Sequence, residues 1–334
     1  MNTMPVIGIT LGDAAGIGPE IVAKAAAEMD FTRIGHPVII GNEGVFRRGM
    51  EIAGLDCKYS VAANITEARE MPGLVLMDTK MITASAVQPG QKSVVCGKES
   101  AENMRMAVQY CKQGLLDGIC FAPNNKAAMK EAGFSFHGAV DLIAGFFEYP
   151  GYCGELGVLD KHWTARVTSH VPLKEVSARL SVSSIMDSIR LLYNAQKLAG
   201  FDPPRIAIAG FNPHSGEGGT CGTEEIDVIA PAVSLAQKEG IAVEGPFSAD
   251  TLFIRLFSGD FDGVVTMYHD QGQIAMKLKG FDDGTTVMAG LPKPVTTSSH
   301  GTAFNIAGKG VAKSGAWISA YKMVCRMAKT NMEC

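Results

Sequence analysis

The chain has 334 residues, of which 46% are apolar and 19% charged, with a net charge of −4. This length and composition fit a globular protein with a sizeable core, in two domains or one large α/β unit. The charge balance excludes the basic footprint of a nucleic-acid-binding protein. The sequence contains no run of about 18 apolar residues, so we expect no membrane span. The N-terminus lacks the layout of a signal peptide. None of the eight cysteines forms a Cys-x-x-Cys pair, and we expect a cytoplasmic protein.

Strand-like and helix-like segments alternate along the chain. The predicted strands are Val6–Thr10, Pro37–Gly41, Gly73–Met77, Gly118–Ala122 and Arg205–Ala209. The predicted helices span residues 19–28, 100–116 and 176–198. Within the two longer ones, apolar residues recur at helical spacing. This alternation predicts an α/β fold with mostly parallel sheets that are covered by helices.

A glycine-rich loop, residues 12–20, joins the first predicted strand to the first predicted helix. Such a loop can present backbone N–H groups to an anion at the start of a helix. Its spacing differs from the dinucleotide fingerprint Gly-x-Gly-x-x-Gly, and a purely structural tight turn is at least as good an interpretation. Residues 212–219 and 299–310 form two further glycine-rich loops, which allow close approach by a ligand.

Three histidines follow three strand-like runs: His170, His214 and His269. Because ligands gather beyond the carboxyl ends of parallel strands, these imidazoles would meet at one edge and form a metal site with open positions. The alternative is three unrelated loop histidines. The histidines at 36, 137 and 162 lie outside these loops, and we assign them surface or structural roles.

These loops resemble those of the 4-hydroxythreonine-4-phosphate dehydrogenase family, almost from end to end of the chain. The matching segments are Gly-Asp-Ala-Ala-Gly-Ile-Gly-Pro-Glu (12–20), Thr-Ser-His-Val-Pro-Leu (168–173), Asn-Pro-His-Ser-Gly-Glu-Gly-Gly (212–219), Gly-Pro-Phe-Ser-Ala-Asp-Thr-Leu-Phe (245–253), Tyr-His-Asp-Gln-Gly (268–272) and His-Gly-Thr-Ala (300–303). The first and last loops are similar, more distantly, to those of isopropylmalate and isocitrate dehydrogenases.

The resemblance implies a homodimer with a two-domain α/β/α fold like that of isopropylmalate dehydrogenase, and with the active site in the interdomain cleft. We expect residues 1–128 plus 282–334 to form a discontinuous nucleotide-side domain. Residues 129–281 would form a central metal-binding and dimerisation domain.

The resemblance also implies an NAD-dependent and metal-dependent dehydrogenase that oxidises a secondary alcohol of a hydroxy acid, with decarboxylation of the β-keto acid. The three strand-end histidines would bind one divalent metal, and zinc, manganese, cobalt, nickel and magnesium all stay open. The residues expected on the adenosine side of NAD are His300, Gly301, Thr302, Ala303 and Asn305. The distant relatives carry aspartate where Asn305 stands, so NADP stays open as well.

Lys277, Lys126 and Asp250 are the catalytic candidates. Lys277 and Asp250 match family positions, and Lys277 lies eight residues after His269. A lysine near a metal-bound hydroxyl can act as a general base, and Lys126, in Pro-Asn-Asn-Lys, is a second candidate for that role. The alternative for either lysine is a solvated surface side chain.

The chain departs from the family in its substrate loop. The family reads Gly-His-Thr-Glu where this chain has Gly138 followed by Ala139, Val140 and Asp141. An asparagine and an arginine that help to hold the phosphorylated substrate map near Thr286 and Val295. Because a charged hydrogen bond contributes roughly 1.5–3 kcal/mol, we expect poor use of 4-phosphohydroxythreonine.

Several substrates and two other function classes stay open. The substrate could be 4-phosphohydroxythreonine-like, a related sugar-acid phosphate such as phospho-threonate, or a carboxylate without phosphate such as the cis-dihydrodiol of terephthalate. A zinc-dependent hydrolase is the first alternative class, because three histidines and an open position also activate water. A non-catalytic metal- or ligand-binding protein is the second.

Overall fold

The computed structural model of the chain describes residues 4–280 and 283–333. The strands are β1 (Val6–Thr10), β2 (His36–Gly41), β3 (Ser60–Ala62), β4 (Val75–Asp78), β5 (Gly118–Phe121), β6 (Gly154–Leu159), β7 (His162–Arg166), β8 (Ile206–Ala209), β9 (Val243–Phe247), β10 (Gly263–Thr266), β11 (Thr285–Ala289) and β12 (Val295–Ser298). The helices are α1 (Gly18–Glu28), α2 (Glu43–Ala53), α3 (Ile65–Glu70), α4 (Val94–Lys112), α5 (Lys126–Glu131), α6 (Ala139–Phe147), α7 (Val176–Arg179), α8 (Val182–Leu198), α9 (Ala230–Lys238), α10 (Ala249–Ser258), α11 (His269–Lys279) and α12 (Gly315–Glu333).

The chain divides into two compact units, Met1–Gly151 with Thr285–Cys334 and Tyr152–Gly284. In the first unit the strand order is β3-β4-β2-β1-β5-β12-β11. All neighbours in it are parallel except β11 and β12. Central strand β1 is buried at every position, as expected for a parallel strand that helices cover on both faces.

The core of the first unit joins this sheet to its helices. Ile9 of β1, Phe46 of α2 and Trp317 of α12 are fully buried in one apolar cluster. Trp317 and Tyr321 stack on α12 with ring centroids 5.9 Å apart. Phe31 packs against the Tyr321 ring at 4.5 Å. Aromatic burial of this kind provides much of a core's stabilisation.

The second unit has the strand order β6-β7-β10-β8-β9. The pair β6 and β7 is antiparallel, and the other pairs are parallel. Val264 of β10 packs with Leu252 and Phe253 of α10 in a second core cluster. Strand β10 therefore lies between β7 and β8, all three pointing the same way.

The predicted α/β class is confirmed, whereas two predicted helices have different bounds. Helix α4 begins at Val94 because the Ser93 side chain caps the N–H of Cys96, earlier than the predicted start at 100. The predicted helix 176–198 is two helices, α7 and α8. The break falls at Leu180, which has extended backbone, and Ser181 then caps α8.

Residues 129–151, which the sequence prediction placed in the central domain, cluster with the first unit. The reason is packing: Met129, Phe136 and Leu142 bury their side chains against Ala101 of α4. The other predicted boundary, between residues 281 and 282, lies outside the described residues. Across the described part of the chain, no helix is both long and apolar enough to cross a membrane.

Candidate active site

The three strand-end histidines follow three adjacent parallel strands of the second unit. His170 follows β7, His269 follows β10 and His214 follows β8. Strand β10 pairs in parallel with β7 on one side and with β8 on the other. The carboxyl ends of these strands therefore share one edge of the sheet, where ligands of α/β proteins bind.

His170 and His269 face one another at this edge. Their ring centroids are 5.5 Å apart, with an angle of 40° between the ring planes. Two imidazoles that share one cation have centroids about 5 Å apart, since each ring nitrogen lies about 2.0–2.1 Å from the metal. The Nδ1 atom of His269 lies 2.6 Å from a carboxylate oxygen of Asp270. This contact fixes the ring and leaves Nε2 for a ligand.

The segment that carries His214, residues 214–218, has an unusual backbone. Residues His214, Ser215, Gly216, Glu217 and Gly218 all have positive φ, between 46° and 79°. Left-handed conformation costs roughly 1–2 kcal/mol for each residue that is not glycine, and three of these five carry side chains. Such a segment persists only where its surroundings fix it.

The buried carboxylate of Glu225 fixes the residues immediately before this segment. Its Oε1 accepts hydrogen bonds from the N–H groups of Phe211 and Asn212, each at 2.7 Å. Its Oε2 accepts one from the Asn212 side chain at 2.9 Å. The neighbouring Glu224 also accepts from the Asn212 amide, and hydrogen bonds from Asn212 and Ser177 lower the Glu224 pKa. Sequence reasoning missed Glu225, although two successive carboxylates after a glycine loop are a usable signal.

Gln271 links the ends of β10 and β8. Its Oε1 accepts from the N–H of Met267 at 2.7 Å, and its Nε2 donates to the carbonyl of Gly210 at 2.7 Å. The ends of β7 and β10 are linked as well, because the Thr168 hydroxyl donates to the Met267 carbonyl at 2.8 Å. The three histidine-bearing ends are thus connected by side-chain hydrogen bonds, a role the sequence did not reveal.

The donor set suits a divalent metal, since imidazole nitrogens bind zinc and neighbouring transition metals well. Within residues 4–280 and 283–333, however, no three His, Cys, Asp or Glu side chains lie close enough to hold one ion. The structure therefore brings His170 and His269 together, while His214 stands on the adjacent strand end without completing the set. The three-histidine site stays a prediction.

The catalytic candidates are exposed. Lys277 lies on α11, the helix that begins with His269, and Asp250 lies in the first turn of α10. Both belong to the second unit, whereas Lys126 begins α5 in the first. The structure thus places Lys277 and His269 on one rigid element.

The first unit brings two predicted loops together. The Ile17 N–H donates to the carbonyl of Thr302 at 3.1 Å, and a Cβ added to Gly16 would lie 3.1 Å from the Thr302 Cβ. Ala303 has a φ of 44°, and Asn305 is exposed. The loop 12–20 therefore packs directly on the loop that contains the predicted adenosine contacts. His300, at the start of that loop, is half-buried, and its Nδ1 lies 3.3 Å from the carbonyl of Gly301.

The predicted substrate residues have different environments. Ala139 begins α6, and Val140 is buried. A carboxylate oxygen of Asp141 accepts from the Gly138 N–H at 2.9 Å, so this side chain caps the helix. Thr286 lies 3.1 Å from the hydroxyl of Ser299. Val295 is fully buried and pairs with Ile119 of β5, which leaves its side chain packed in the core.

Comparison with known proteins identifies similar chains. A sequence model of the family described as pyridoxal phosphate biosynthetic protein PdxA matches residues 33–324. A relative from Rhizobium meliloti, with the provisional name 4-hydroxythreonine-4-phosphate dehydrogenase 2, is 42% identical over 97% of this chain and 94% of its own length.

Solved structures agree with this similarity. The structure of 4-hydroxythreonine-4-phosphate dehydrogenase from Klebsiella pneumoniae has a TM-score of 0.86 at 32% identity, and covers 98% of this chain and 100% of that one. A terephthalate 1,2-cis-dihydrodiol dehydrogenase from Burkholderia xenovorans has a TM-score of 0.67 at 26% identity, covering 96% and 98%.

Proposed function

This chain belongs to the family of pyridoxal phosphate biosynthetic protein PdxA, and we propose that it is a dehydrogenase dependent on NAD and a divalent metal. Its substrate would be a secondary alcohol of a hydroxy acid. The observation that carries the proposal is the placement of His170, His269 and His214 after three adjacent parallel strands. The names of the relatives as dehydrogenases support the reaction class.

His170, His214 and His269 would hold the metal, which when bound supplies Lewis-acid polarisation of the alcohol and lowers its pKa. The facing pair at 5.5 Å supports two of these ligands. Asp270 would keep the His269 ring oriented through its contact with Nδ1 at 2.6 Å. The Glu225 and Gln271 hydrogen bonds would hold the segment that carries His214 within reach of the metal.

The packed glycine loops of the first unit would bind the cofactor. NAD accepts a hydride when bound, and its adenosine side would lie along residues 300–305. An exposed asparagine at 305 can accept one hydrogen bond from a ribose hydroxyl, where a carboxylate could accept from both. NADP therefore stays a second possible cofactor.

A lysine would take the proton of the alcohol. Lys277 is our first choice, because it lies two turns beyond His269 on α11. Lys126, at the start of α5, is the second. Where the substrate carries a carboxylate β to the new ketone, loss of carbon dioxide would follow. The homodimer that the resemblance implies is part of this proposal.

The substrate loop favours a substrate other than 4-phosphohydroxythreonine. Ala139 and Val140 offer no polar atoms beyond the backbone, and Val295 is packed in the core. Threonine, at position 286, offers a hydroxyl that lies beside Ser299. A cyclic dihydrodiol, which has no phosphate, would suit these residues better, and a dihydrodiol dehydrogenase is among the similar structures. A four-carbon sugar-acid phosphate stays the second candidate substrate.

A substrate screen with the purified protein tests the proposal. NADH absorbance is followed with NAD, Mn²⁺ or Zn²⁺, and three classes of alcohol: 4-phosphohydroxythreonine, four-carbon sugar-acid phosphates and cis-dihydrodiols. We expect NADH formation with one of the last two classes, and a loss of at least about 100-fold in kcat/KM on His269→Ala. His36→Gln is the control, because His36 is bonded to the carbonyl of Ala68 in the first unit.

Two results would contradict the proposal. NADH formation from none of the substrates, with either metal, would contradict the dehydrogenase assignment. Turnover of 4-phosphohydroxythreonine at the level of its dedicated relatives would leave the reaction class intact and overturn the substrate shift.

A further inference from the structure

Three polar side chains of the first unit are almost completely buried. Asp13 lies in the loop that follows β1, and Glu99 and Asn103 lie one turn apart on α4. Their exposed fractions are 0%, 3% and 1%, and the carboxylates of Asp13 and Glu99 are close enough to repel one another. We call these three residues the oxygen cluster. None of them is a metal ligand, a catalytic candidate or a named cofactor contact in the proposed function.

The oxygen cluster has more acceptors than donors. The Asp13 Oδ1 accepts from the N–H of Ala15 at 2.8 Å, and the Glu99 Oε1 accepts from the Asn103 Nδ2 at 2.6 Å. Among the described residues, the Asp13 Oδ2 and the Asn103 Oδ1 are buried without a hydrogen-bond partner. The side-chain carbonyl oxygen of Asn103 is therefore held beside Glu99, and it accepts no hydrogen bond from the described residues. Buried acceptors in native proteins are nearly always satisfied, by protein, water or an ion.

Side-chain cations do not neutralise the two carboxylates. Neither Asp13 nor Glu99 belongs to an ion pair in the described part of the chain. Arg48 of α2 lies beside the loop, but its guanidinium donates to three backbone carbonyls, of Ala14, Ala84 and Val87. The Cys96 thiol is a further titratable neighbour of both carboxylates, and burial raises its pKa.

Burial has the expected effect on both acids. It raises the pKa of Asp13 to about 6, against a hydrogen bond from Ala15 that lowers it. It raises the pKa of Glu99 to about 7, and repulsion from Asp13 adds to this rise while the hydrogen bond from Asn103 opposes it. Above neutral pH, two negative charges would therefore share one buried region without compensation.

We propose that the oxygen cluster binds one hard divalent cation, of the Mg²⁺ or Ca²⁺ type, through Asp13, Glu99 and Asn103. Two carboxylates and an amide oxygen are the oxygen donors that such cations prefer. Two negative charges balance the charge of the ion. The donor types differ from the imidazoles of the second unit, so this proposal does not depend on the three-histidine metal site of the proposed function.

Such an ion would stiffen the cofactor side of the first unit. Asp13 lies four residues before Ile17, whose N–H holds the carbonyl of Thr302. An ion between Asp13 and Glu99 would connect α4 to the loop 12–20, and through it to the loop 299–310. The bound ion would hold these loops in one conformation and would supply no group to the reaction.

The test uses the full chain with His170→Ala and His269→Ala, which removes the candidate active-site ligands. The protein is freed of metal with a chelator, and Mg²⁺ and Ca²⁺ are added separately at pH 8. We expect binding of one ion per chain by titration calorimetry, and a rise in Tm of about 5 °C at saturation. No shift with either ion would overturn the proposal, whatever the activity of the parent enzyme.

Two single variants and a matched control locate the site. Asp13→Asn and Glu99→Gln each remove one ligand charge, and each should weaken binding at least about 10-fold. Glu102→Gln makes the same change on the same helix at a partly exposed position, where the carboxylate pairs with Arg105, and should leave affinity unchanged. Equal loss of affinity in Glu99→Gln and Glu102→Gln would overturn the assignment.

A pH series covers the case in which a variant does not fold. Protons compete with the cation for Asp13 and Glu99, so affinity should fall at least about 10-fold between pH 8 and pH 5.5. The opposing idea is that protons alone neutralise the cluster. It predicts that Glu99→Gln raises Tm at pH 8 and that neither ion changes Tm in any variant.

Discussion

Glu225 acts as a hydrogen-bond acceptor for a strained loop. Its two oxygens accept three hydrogen bonds from Phe211 and Asn212, immediately before the left-handed run that contains His214. A carboxylate suits this place because it accepts on both oxygens and donates on neither. The ionised carboxylate of Glu225 therefore helps to fix the conformation of the loop.

We expect Glu225→Gln to lower the free energy of unfolding by about 2–3 kcal/mol. The reason is that the NH2 group of glutamine would face an N–H donor of Phe211 or Asn212 in place of an acceptor oxygen. Urea denaturation measures the change. Asp227→Asn, an exposed position in the same turn, should change stability by less than about 0.5 kcal/mol. Equal effects of the two substitutions would contradict the role given to Glu225.

Asp13 and Glu99 predict a pH dependence of stability. Their folded pKa values, about 6 and about 7, lie above the ordinary values of 3.8 and 4.5. Between these values the folded state binds more protons than the unfolded state, so the free energy of unfolding falls as pH rises. The stabilisation is complete below about pH 4 and is lost by about pH 7.

In chelator, we expect a loss of about 2–3 kcal/mol for each carboxyl over this range. Urea midpoints from pH 4 to pH 8 measure it. Glu99→Gln should remove its share of the slope near pH 7 and leave that of Asp13. A free energy of unfolding that rises with pH in both proteins would show that other groups dominate.

At the scale of elements, helix starts depend on single side chains. The hydroxyl of Ser181 accepts from the Ser184 N–H, and the Ser184 hydroxyl accepts from the Ser181 N–H. This capping box restarts the helix after Leu180. It explains why apolar spacing, which continues across the break, predicted one helix where there are two.

Ser181→Ala should therefore destabilise the protein by about 1 kcal/mol, because one N–H at the start of α8 loses its acceptor. Ser181→Thr keeps the hydroxyl and should lose much less. Thermal unfolding compares the two. A threonine variant as unstable as the alanine variant would mean that packing, and not capping, decides this position.

Gln271 connects two elements that each carry a proposed metal ligand. Replacing it with leucine removes the donor to Gly210 and the acceptor of Met267, and so frees the end of β10 from that of β8. On the proposed function, we expect metal affinity to fall about 10–100-fold. Gln273→Leu, two residues along the same helix, is the control.

The whole molecule should respond to its proposed ligands through mass action. On the proposed function, Mn²⁺ and NAD at about 100 times Kd should each stabilise the folded state by about 2.7 kcal/mol. Thermal shift measures both. His269→Ala should abolish the metal shift of the second unit and keep the NAD shift, since the cofactor loops belong to the first.

Much of the fold could be predicted because its signals are local. The apolar run of β1, the glycine loop after it and the helix that begins near Pro19 are neighbours in the chain. Alternation of such segments was enough for the α/β class. The place of residues 129–151 could not be predicted in this way, because it depends on contacts of Met129 and Leu142 with a helix that precedes them.

The amino-acid sequence by itself determined the parallel α/β class, the three strand-end histidines and the family. Only the tertiary structure decided what holds those histidines in place and which acids are buried together. Glu225 contacts Phe211, Gln271 contacts Gly210 and Glu99 shares a buried region with Asp13. Periodicity reports how a segment meets its immediate neighbours. Desolvation and long-range hydrogen bonds exist only after distant segments have packed, and no local pattern encodes them.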